Sequence, residues 1–315
     1  MRDLTGMTAL ITGASRGIGA QIADALGRAG VNLILVSRSR SGLEQVAERL
    51  GRYGKRVLIL PADLSQREAI APLVERALTF TGSIDILVNN AATACILPYH
   101  RYVPEDIERE IFTNLTAPLL LTRYVLPHML ARRCGHIVNV SSLSAEVPVA
   151  YFASYATAKA GLASFVRSLR QELSGTGVSA SAIMPGVVRD VGLIRDFEKR
   201  SGFATTDIAG GCTSEQVARG VVEAIRRDLP DLVINTPPMR PVLALLRLMP
   251  KTMERVLHAI GIQESSKNAI ALNVQSGGML TGIIIAPDEH EQVRNSKARA
   301  ADVSDDSGQI SPIDQ

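Results

Sequence analysis

The segment MTALITGASRGIG, residues 7–19, decides the fold of this 315-residue chain. Its apolar run, Met7–Thr12, leads directly into Gly13, Gly17 and Gly19, and apolar residues at helical spacing follow. Such an order is typical of a buried β-strand, a tight turn and an α-helix. Glycine allows the backbone to turn sharply there and allows the helix to pack closely on the strand.

The same alternation continues through the first two-thirds of the chain. The apolar runs are continuous, which is typical of strands buried on both faces of a parallel sheet. We therefore predict an α/β fold with a doubly wound parallel sheet of about seven strands, of the Rossmann type. The predicted strands are Met7–Thr12, Val31–Ser37, Arg56–Leu60, Ile84–Asn89, His136–Ser141, Val178–Met184 and Asp231–Asn235. The predicted helices between them include Ser41–Gly51, Ser65–Phe80, Pro104–Arg133, Tyr151–Ser174 and Ser214–Asp228.

Several helices carry start signals in the sequence. Ser41 and Ser65 stand at the beginnings of two predicted helices, where a serine hydroxyl can accept a hydrogen bond from a free N–H group. Thr213 and Gln216 have the spacing of a capping box.

Composition narrows the class of protein. With 46% hydrophobic and 21% charged residues the chain is globular, and a net charge of +3 with 4% aromatic residues does not favour nucleic acid as a partner. The spacing of Cys95, Cys134 and Cys212 suits neither a disulfide framework nor a metal site, which indicates reduced thiols. There is no signal-peptide pattern and no membrane-spanning apolar run, so we expect a cytoplasmic protein.

The character of the sequence changes after Asn235, so we predict three regions: a catalytic domain over 1–236, an amphipathic helical extension over 237–262 and a disordered tail over 263–315. Within 242–260, Leu- and Met-rich positions stand beside Arg247, Lys251 and Arg255. This segment can cover the core of the sheet, cover a substrate cleft, pack on a second subunit or make peripheral contact with an anionic membrane.

The glycine turn indicates a dinucleotide site, because a helix N-terminus next to a close backbone turn suits a pyrophosphate. The alternative is a glycine-rich turn that binds nothing. The second strand ends Ser37-Arg38 without the acid that holds an NAD ribose, and Arg16 stands in the glycine turn. Arg16 and Arg38 suit a 2′-phosphate, so NADP(H) is favoured and NAD(H) is the alternative. Asp63 would either accept from the adenine amino group or cap the following helix.

A second group of residues points to catalysis. Tyr155 and Lys159 are four apart, which places a phenol and an ammonium on one helix face. A nearby cation favours phenolate, so such a tyrosine can exchange protons near neutral pH. Ser142 follows a predicted buried strand, and Asn114 lies in the preceding helix. The structural alternatives are that Ser142 caps a helix and that Asn114 bonds to backbone.

Together these motifs resemble the short-chain dehydrogenase/reductase family over roughly residues 5–235. The resemblance implies that Tyr155 is the general acid and base, and that Lys159 lowers the pKa of Tyr155 and holds the nicotinamide ribose. It also implies that Ser142 bonds the substrate carbonyl oxygen and that Asn114 holds a water linking Lys159 to solvent. The matching pieces are TGASRGIG (12–19), Asp63, Asn89-Asn90-Ala91-Ala92, Asn114, Ser142, Tyr155, Lys159 and Pro185-Gly186.

The resemblance also implies the cofactor contacts, with Asn89–Ala91 along the ribose and Pro185, Gly186 and Val188 around the nicotinamide. The predicted cofactor-binding residues are Gly13, Ser15, Arg16, Gly17, Ile18, Gly19, Ser37, Arg38, Asp63, Leu64, Asn90, Ala91, Tyr155, Lys159, Pro185, Gly186 and Val188.

The chain departs from the family pattern in three places. Ala92 replaces a glycine, and Asp190 replaces a threonine that contacts the carboxamide, which leaves the role of Asp190 open. After the last strand, the chain continues with 237–261 and a tail where many family members have a glycine-rich oligomer segment, which leaves open whether it forms that type of tetramer.

The predicted function is hydride transfer between NADP(H) and a small-molecule carbonyl or secondary alcohol. The loop 191–211 and the apolar segments 94–97 and 143–151 would line the substrate pocket, which favours a lipophilic acyl, steroid or other lipid ketone. A homodimer or homotetramer is expected. The alternative function is a catalytically silent dinucleotide sensor or scaffold, which the intact Ser, Tyr, Lys and Asn set opposes.

Overall fold

The computed structural model describes residues 1–201 and 210–239 together with residues 241 and 243. Seven strands form one parallel sheet in the order β3-β2-β1-β4-β5-β6-β7, so the predicted doubly wound fold is confirmed. The order reverses between β1 and β4, and ligands bind at the carboxyl ends of strands beside such a reversal. The strands are β1 (Thr8–Thr12), β2 (Asn32–Ser37), β3 (Val57–Pro61), β4 (Ile86–Asn89), β5 (Gly135–Val140), β6 (Val178–Pro185) and β7 (Asp231–Ile234).

Helices cover both faces of the sheet. The helices are α1 (Gly17–Arg28), α2 (Arg40–Leu50), α3 (Ile70–Thr81), α4 (Pro104–Ile111), α5 (Ala117–Ala131), α6 (Ala153–Glu172), α7 (Leu193–Ser201) and α8 (Ser214–Arg227). Because side chains of a strand alternate between the two faces of the sheet, Ile11 of β1 packs with α1, α2 and α8, while Leu10 packs with α3, α5 and α6.

The structure corrects the expected helix over Pro104–Arg133. A π-helical turn, Phe112–Thr116, divides this stretch into α4 and α5. A π turn inserts about one residue into a continuous helix, so apolar periodicity alone does not reveal it.

Two of the three predicted helix starts are also corrected. Ser39 caps α2 by accepting from the Gly42 N–H group, so Ser41 is not the cap. Ser65 does not cap α3, which begins at Ile70. The capping box of Thr213 and Gln216 is confirmed, because both of its hydrogen bonds form.

The proposed extension and tail, 237–262 and 263–315, lie outside the described residues except for 237–239, 241 and 243. Of these, Leu243 is buried. The thiols of Cys95, Cys134 and Cys212 are free. In the part of the chain that the structure describes, no helix has both the length and the apolar character needed to cross a bilayer.

Candidate active site

The glycine turn between β1 and α1 leaves no room for a Cβ atom at Gly13 or at Gly19. A Cβ atom on Gly19 would lie 2.1 Å from the carbonyl oxygen of Gly13, and one on Gly13 would lie 2.9 Å from the Cα of Ala91. Gly13 and Gly17 also have positive φ angles, which side chains disfavour. Since α1 begins at Gly17, its N-terminal N–H groups lie directly after this close turn. The cradle therefore fits a pyrophosphate.

Thr12, to which the sequence assigned no role, ties this turn to the loop after β4. Its hydroxyl accepts from the N–H groups of Asn90 (2.9 Å) and Ala91 (3.0 Å), and it donates to the carbonyl of Val88. The Asn90 amide donates in return to the Thr12 carbonyl oxygen at 2.9 Å. The predicted residues Asn90 and Ala91 are thus brought onto the glycine turn. This role of Thr12 could have been recognised in the sequence, because a hydroxyl residue ends the strand directly before the first glycine.

The two arginines predicted to hold a 2′-phosphate lie on neighbouring loops. Arg16 is exposed and immediately precedes α1, and Arg38 is exposed and follows β2. The loops are close, because a Cβ on Gly42 of α2 would lie 2.9 Å from the Cβ of Ser15. Arg16 already forms an ion pair with Asp196 of α7, with 2.6 Å between Nη1 and Oδ2.

Other predicted cofactor residues have mainly local roles. The Ser37 hydroxyl donates to the Ser39 carbonyl at 3.3 Å. Asp63 does not cap α3, because its Oδ1 accepts from the Ser65 N–H group and closes a turn before the helix. Leu64 is 6% exposed and packs in the core, so a contact with a dinucleotide would use its main chain. Ile18 also packs against the core.

The proposed catalytic side chains come together where β5 ends and α6 begins. Tyr155 and Lys159 share one face of α6, and the Lys159 ammonium lies 5.6 Å from the centre of the Tyr155 ring. Lys159 is 2% exposed and donates to the carbonyl oxygen of Val140 in β5 at 2.8 Å. Ser142, two residues beyond β5, lies near the Tyr155 phenol, and its hydroxyl acts to lower the pKa of that phenol. The fold thus brings two residues that are 13 apart in the sequence close together.

Ser141 and Ser142 have different roles in the structure. Ser141 is buried, and its hydroxyl donates to the main-chain carbonyl of Lys159 at 2.7 Å. The Ser142 hydroxyl instead faces Tyr155 and accepts from the Ser144 N–H group at 3.1 Å, which caps the short turn Leu143–Ala145. The capping and catalytic interpretations of Ser142 are therefore compatible.

Burial dominates the pKa of Tyr155. It raises this pKa to about 12, and the Ser142 hydroxyl only partly opposes the rise. Burial lowers the pKa of Lys159 to about 8, against the opposing charge of Glu110. The phenol therefore keeps its proton at neutral pH, a state that suits donation to a carbonyl oxygen. The resemblance implies that Lys159 lowers the pKa of Tyr155, an effect that would act against burial, and this role of Lys159 stays a prediction.

Asn114 lies in the π-helical turn and is fully buried. Its Oδ1 accepts from the Thr93 N–H group at 2.9 Å, and its Nδ2 donates to the Thr93 carbonyl at 2.7 Å. The amide therefore bonds to backbone, although to the loop after β4 and not to its own helix. An amide oxygen has two lone pairs, so Oδ1 keeps acceptor capacity beyond Thr93.

The segment after β6 contains the remaining predicted cofactor residues. Pro185 ends β6, the Gly186 N–H group donates to the Ile234 carbonyl at 2.9 Å, and Val188 pairs with Cys212 as an isolated bridge. These bonds hold the segment against the end of β7 and the start of α8.

Asp190 has a structural partner. Its two carboxylate oxygens accept from the main-chain N–H (2.9 Å) and the hydroxyl (2.6 Å) of Ser214, the first residue of α8. Burial alone would raise the pKa of Asp190, but the hydrogen bonds from Ser214, together with those from the main chain of Asp190 and Val191, hold the pKa below its usual value. Asp190 thus fastens the loop to α8.

We expect Asp190→Ala to lower the free energy of unfolding by about 1–2 kcal/mol, because two hydrogen bonds at a helix N-terminus are lost. Urea unfolding at neutral pH measures this. Since the pKa is lowered in the fold, the difference should shrink as acid protonates Asp190. Asp190→Asn is the matched control, because it retains the shape and one acceptor. Unchanged stability with lowered turnover would instead place Asp190 against the cofactor.

The apolar segment at the mouth of the site has a packing role as well. Cys95 and Leu97 of the predicted pocket wall form a small buried cluster with Tyr102. The Tyr102 hydroxyl donates to the Cys95 carbonyl at 2.6 Å, which fixes the loop. Part of the apolar character of 94–97 therefore serves this loop. The predicted substrate loop contains α7, whose Asp196 is paired with Arg16 of the glycine turn. Residues 202–209 of that loop lie outside the described ranges.

Comparison with known proteins identifies the family. The family model for short chain dehydrogenases matches residues 7–200. The chain is a short-chain dehydrogenase. The dehydrogenase is accordingly an oxidoreductase that uses a nicotinamide dinucleotide and acts on CH–OH or C=O groups of small molecules.

Individual relatives cover much of the dehydrogenase. The ketoacyl reductase HetN of Nostoc sp. is 34% identical over 282 residues, which are 88% of this chain and 97% of that protein. The 3beta-hydroxysteroid dehydrogenase 1 of Eggerthella lenta is 34% identical over 188 residues, 59% of this chain and 72% of that protein. A metagenomic short-chain oxidoreductase, crystallised in complex with NADP, is similar with a TM-score of 0.62 and 32% identity, covering 74% of this chain and 98% of that chain.

Proposed function

We propose that the dehydrogenase transfers hydride between NADP(H) and a lipophilic ketone or secondary alcohol. The observation that carries this proposal is the meeting of the Ser142 hydroxyl, the Tyr155 phenol and the Lys159 ammonium at the end of β5. That edge of the sheet also carries the glycine turn, so a nicotinamide and a carbonyl can meet beside the phenol.

Each residue has a task that its contacts allow. Ser142 donates a hydrogen bond to the substrate oxygen, and Tyr155 delivers its proton to the same oxygen during reduction. Lys159, held by the Val140 carbonyl, places its charge beside the phenol and binds the nicotinamide ribose. Asn114 holds the water that connects Lys159 to solvent. NADP(H), when bound, supplies or accepts the hydride.

The preference for NADP(H) over NAD(H) rests on charge at the end of β2. Ser37 and Arg38 stand where an NAD-binding chain has an acid, and Arg16 lies on the adjoining loop. Guanidinium groups bind phosphate with paired, charge-assisted hydrogen bonds. The relative that was crystallised with NADP supports the same choice.

The lipophilic substrate class rests mainly on the named relatives, since the apolar segment 94–97, predicted to line the pocket, packs in part within its own loop. HetN is named a ketoacyl reductase, and the Eggerthella lenta protein a 3beta-hydroxysteroid dehydrogenase. Both names denote an oxygen function on a largely hydrocarbon body. We therefore favour an acyl or steroid ketone over a sugar.

The test is a substrate screen with the full chain, followed by the absorbance of the reduced nicotinamide. The panel pairs a 3-ketoacyl thioester, a 3-ketosteroid and an aldose, each with NADPH and with NADH. We expect turnover of a lipophilic ketone with NADPH and little with the aldose. Preference for the aldose would overturn the substrate class, and equal rates with NADH would overturn the cofactor preference.

A further inference from the structure

Glu110 is a buried carboxylic acid that the proposed function does not use. It lies on α4, four residues before Asn114, and is 2% exposed. Its Oε1 accepts from the Cys95 N–H group at 3.1 Å, whereas its buried Oε2 has no hydrogen-bond partner within the described residues. Burying a carboxyl with one unpaired oxygen costs free energy, and an apolar residue would avoid this cost. The position therefore calls for an electrostatic explanation.

The surroundings of Glu110 include the catalytic helix. α4 packs against α6, which places the buried Glu110 carboxyl and the buried Lys159 ammonium on two adjoining helices without a direct ion pair between them. The charge of Glu110 acts through space on Lys159 and Tyr155. On α4 itself, Arg109 is engaged in an ion pair with Asp106. The titratable and charged groups facing this cluster are Lys159 and Tyr155 from α6, Cys95 and Tyr102 from the loop after β4, and Asp106 and Arg109 from α4.

We propose that Glu110 is a positioning residue whose carboxylate is the countercharge of the buried Lys159 ammonium. This inference rests on the proposed function, because that function gives the Lys159 charge its importance. Glu110 acts through Lys159 and touches neither substrate nor cofactor. Its unpaired oxygen is retained because the attraction to the ammonium offsets part of the cost of burying both charges.

The ionisation ranges of the two groups determine when this countercharge matters. Burial raises the pKa of Glu110 to about 7, with Asp106 adding to the rise and the Cys95 N–H group and Lys159 opposing it. Burial lowers the pKa of Lys159 to about 8, and Glu110 opposes that change. In acid, Glu110 is neutral and Lys159 keeps its proton unaided. At alkaline pH, Glu110 is ionised, and its negative charge opposes the loss of the proton from Lys159.

The test compares wild type with Glu110→Gln, which resembles the protonated acid in size and still accepts from the Cys95 N–H group. Turnover of the ketone found in the screen is measured with NADPH. We expect kcat within about twofold of wild type near pH 6, and about three- to tenfold lower near pH 8.5, since less Lys159 stays charged. Glu108→Gln, an exposed change on the same helix, should match wild type at both values.

Equal loss at both pH values would mean that Glu110 only packs, and would overturn the proposal. A second readout does not depend on turnover. The NMR resonance of a side-chain carbon of Lys159 is followed through a pH titration, and it is assigned by its absence in Lys159→Met. Its midpoint should fall by about 0.5–1 pH unit in Glu110→Gln. An unchanged midpoint would also overturn the proposal.

Two further measurements keep the test decisive. If Glu110→Gln does not fold, Glu110→Met removes the charge with an apolar side chain of similar size. Independently of any variant, the Lys159 resonance of the wild type should show an inflection near pH 7, because Glu110 ionises there. Absence of that inflection would contradict the proposal. The Tyr155→Phe variant separates failure of the proposed function from failure of the role of Glu110. Full turnover in Tyr155→Phe would refute the proposed function. If Tyr155→Phe loses turnover but Glu110→Gln has the pH profile of the wild type, only the role of Glu110 is refuted.

Discussion

Tyr155→Phe is expected to lower kcat by about 10²–10⁴-fold while NADPH binding stays within about threefold of wild type. The substitution removes the phenol oxygen that lies near the Ser142 hydroxyl and leaves the ring in place. A loss of this size corresponds to about 3–5 kcal/mol of transition-state stabilisation. Steady-state rates with the ketone from the screen and nucleotide fluorescence titration measure the two quantities.

Tyr124→Phe is the matched control for this experiment. It makes the same chemical change at a tyrosine that is 40% exposed on α5, away from Ser142 and Lys159. We expect wild-type kcat from it. If Tyr155→Phe kept more than a tenth of wild-type turnover, Tyr155 would not be the proton donor.

Arg38→Asp is expected to change the ratio of kcat/KM with NADPH to that with NADH by at least about ten- to a hundredfold toward NADH. One charge-assisted contact with a phosphate is worth about 1.5–3 kcal/mol, and the new carboxylate both repels the 2′-phosphate and can accept from a ribose hydroxyl. Arg38 is exposed directly after β2, so the substitution should leave the fold intact.

One control and one further variant belong with this cofactor experiment. Arg49→Asp makes the same charge change in the last turn of α2 and should leave the cofactor ratio unchanged. Asp196→Asn tests the other arginine, because Asp196 is paired with Arg16. Releasing that pair should lower the KM for NADPH more than that for NADH. A cofactor ratio unaffected by Arg38→Asp would show that the 2′-phosphate is bound elsewhere.

Much of the site could be predicted because its determinants are local in the chain. Gly13, Gly17 and Gly19 follow a buried strand, and a turn of this kind is specified by neighbouring residues. Tyr155 and Lys159 are one helical turn apart, so any helix there places them together. Ser142 follows β5, and in a parallel sheet the strand ends meet at one edge.

Other features depend on contacts between distant parts of the chain. Asp190 and Ser214 are 24 residues apart, and Asn114 reaches Thr93 across 21 residues. No periodicity encodes such partners, because they depend on which loops the sheet brings together. The division of the long helix by a π turn also escaped the sequence, since its apolar pattern continues through the turn.

The sequence by itself determined the sheet, the glycine turn, the Ser142, Tyr155 and Lys159 set and the absence of an acid after β2, since each follows from residue type and short-range spacing. Only the tertiary structure decided the charge balance of the site. The pKa of Tyr155 rises and that of Lys159 falls because protein atoms displace water around both side chains, and Glu110 influences both from another helix. Desolvation and through-space charge depend on three-dimensional packing, and no linear pattern records them.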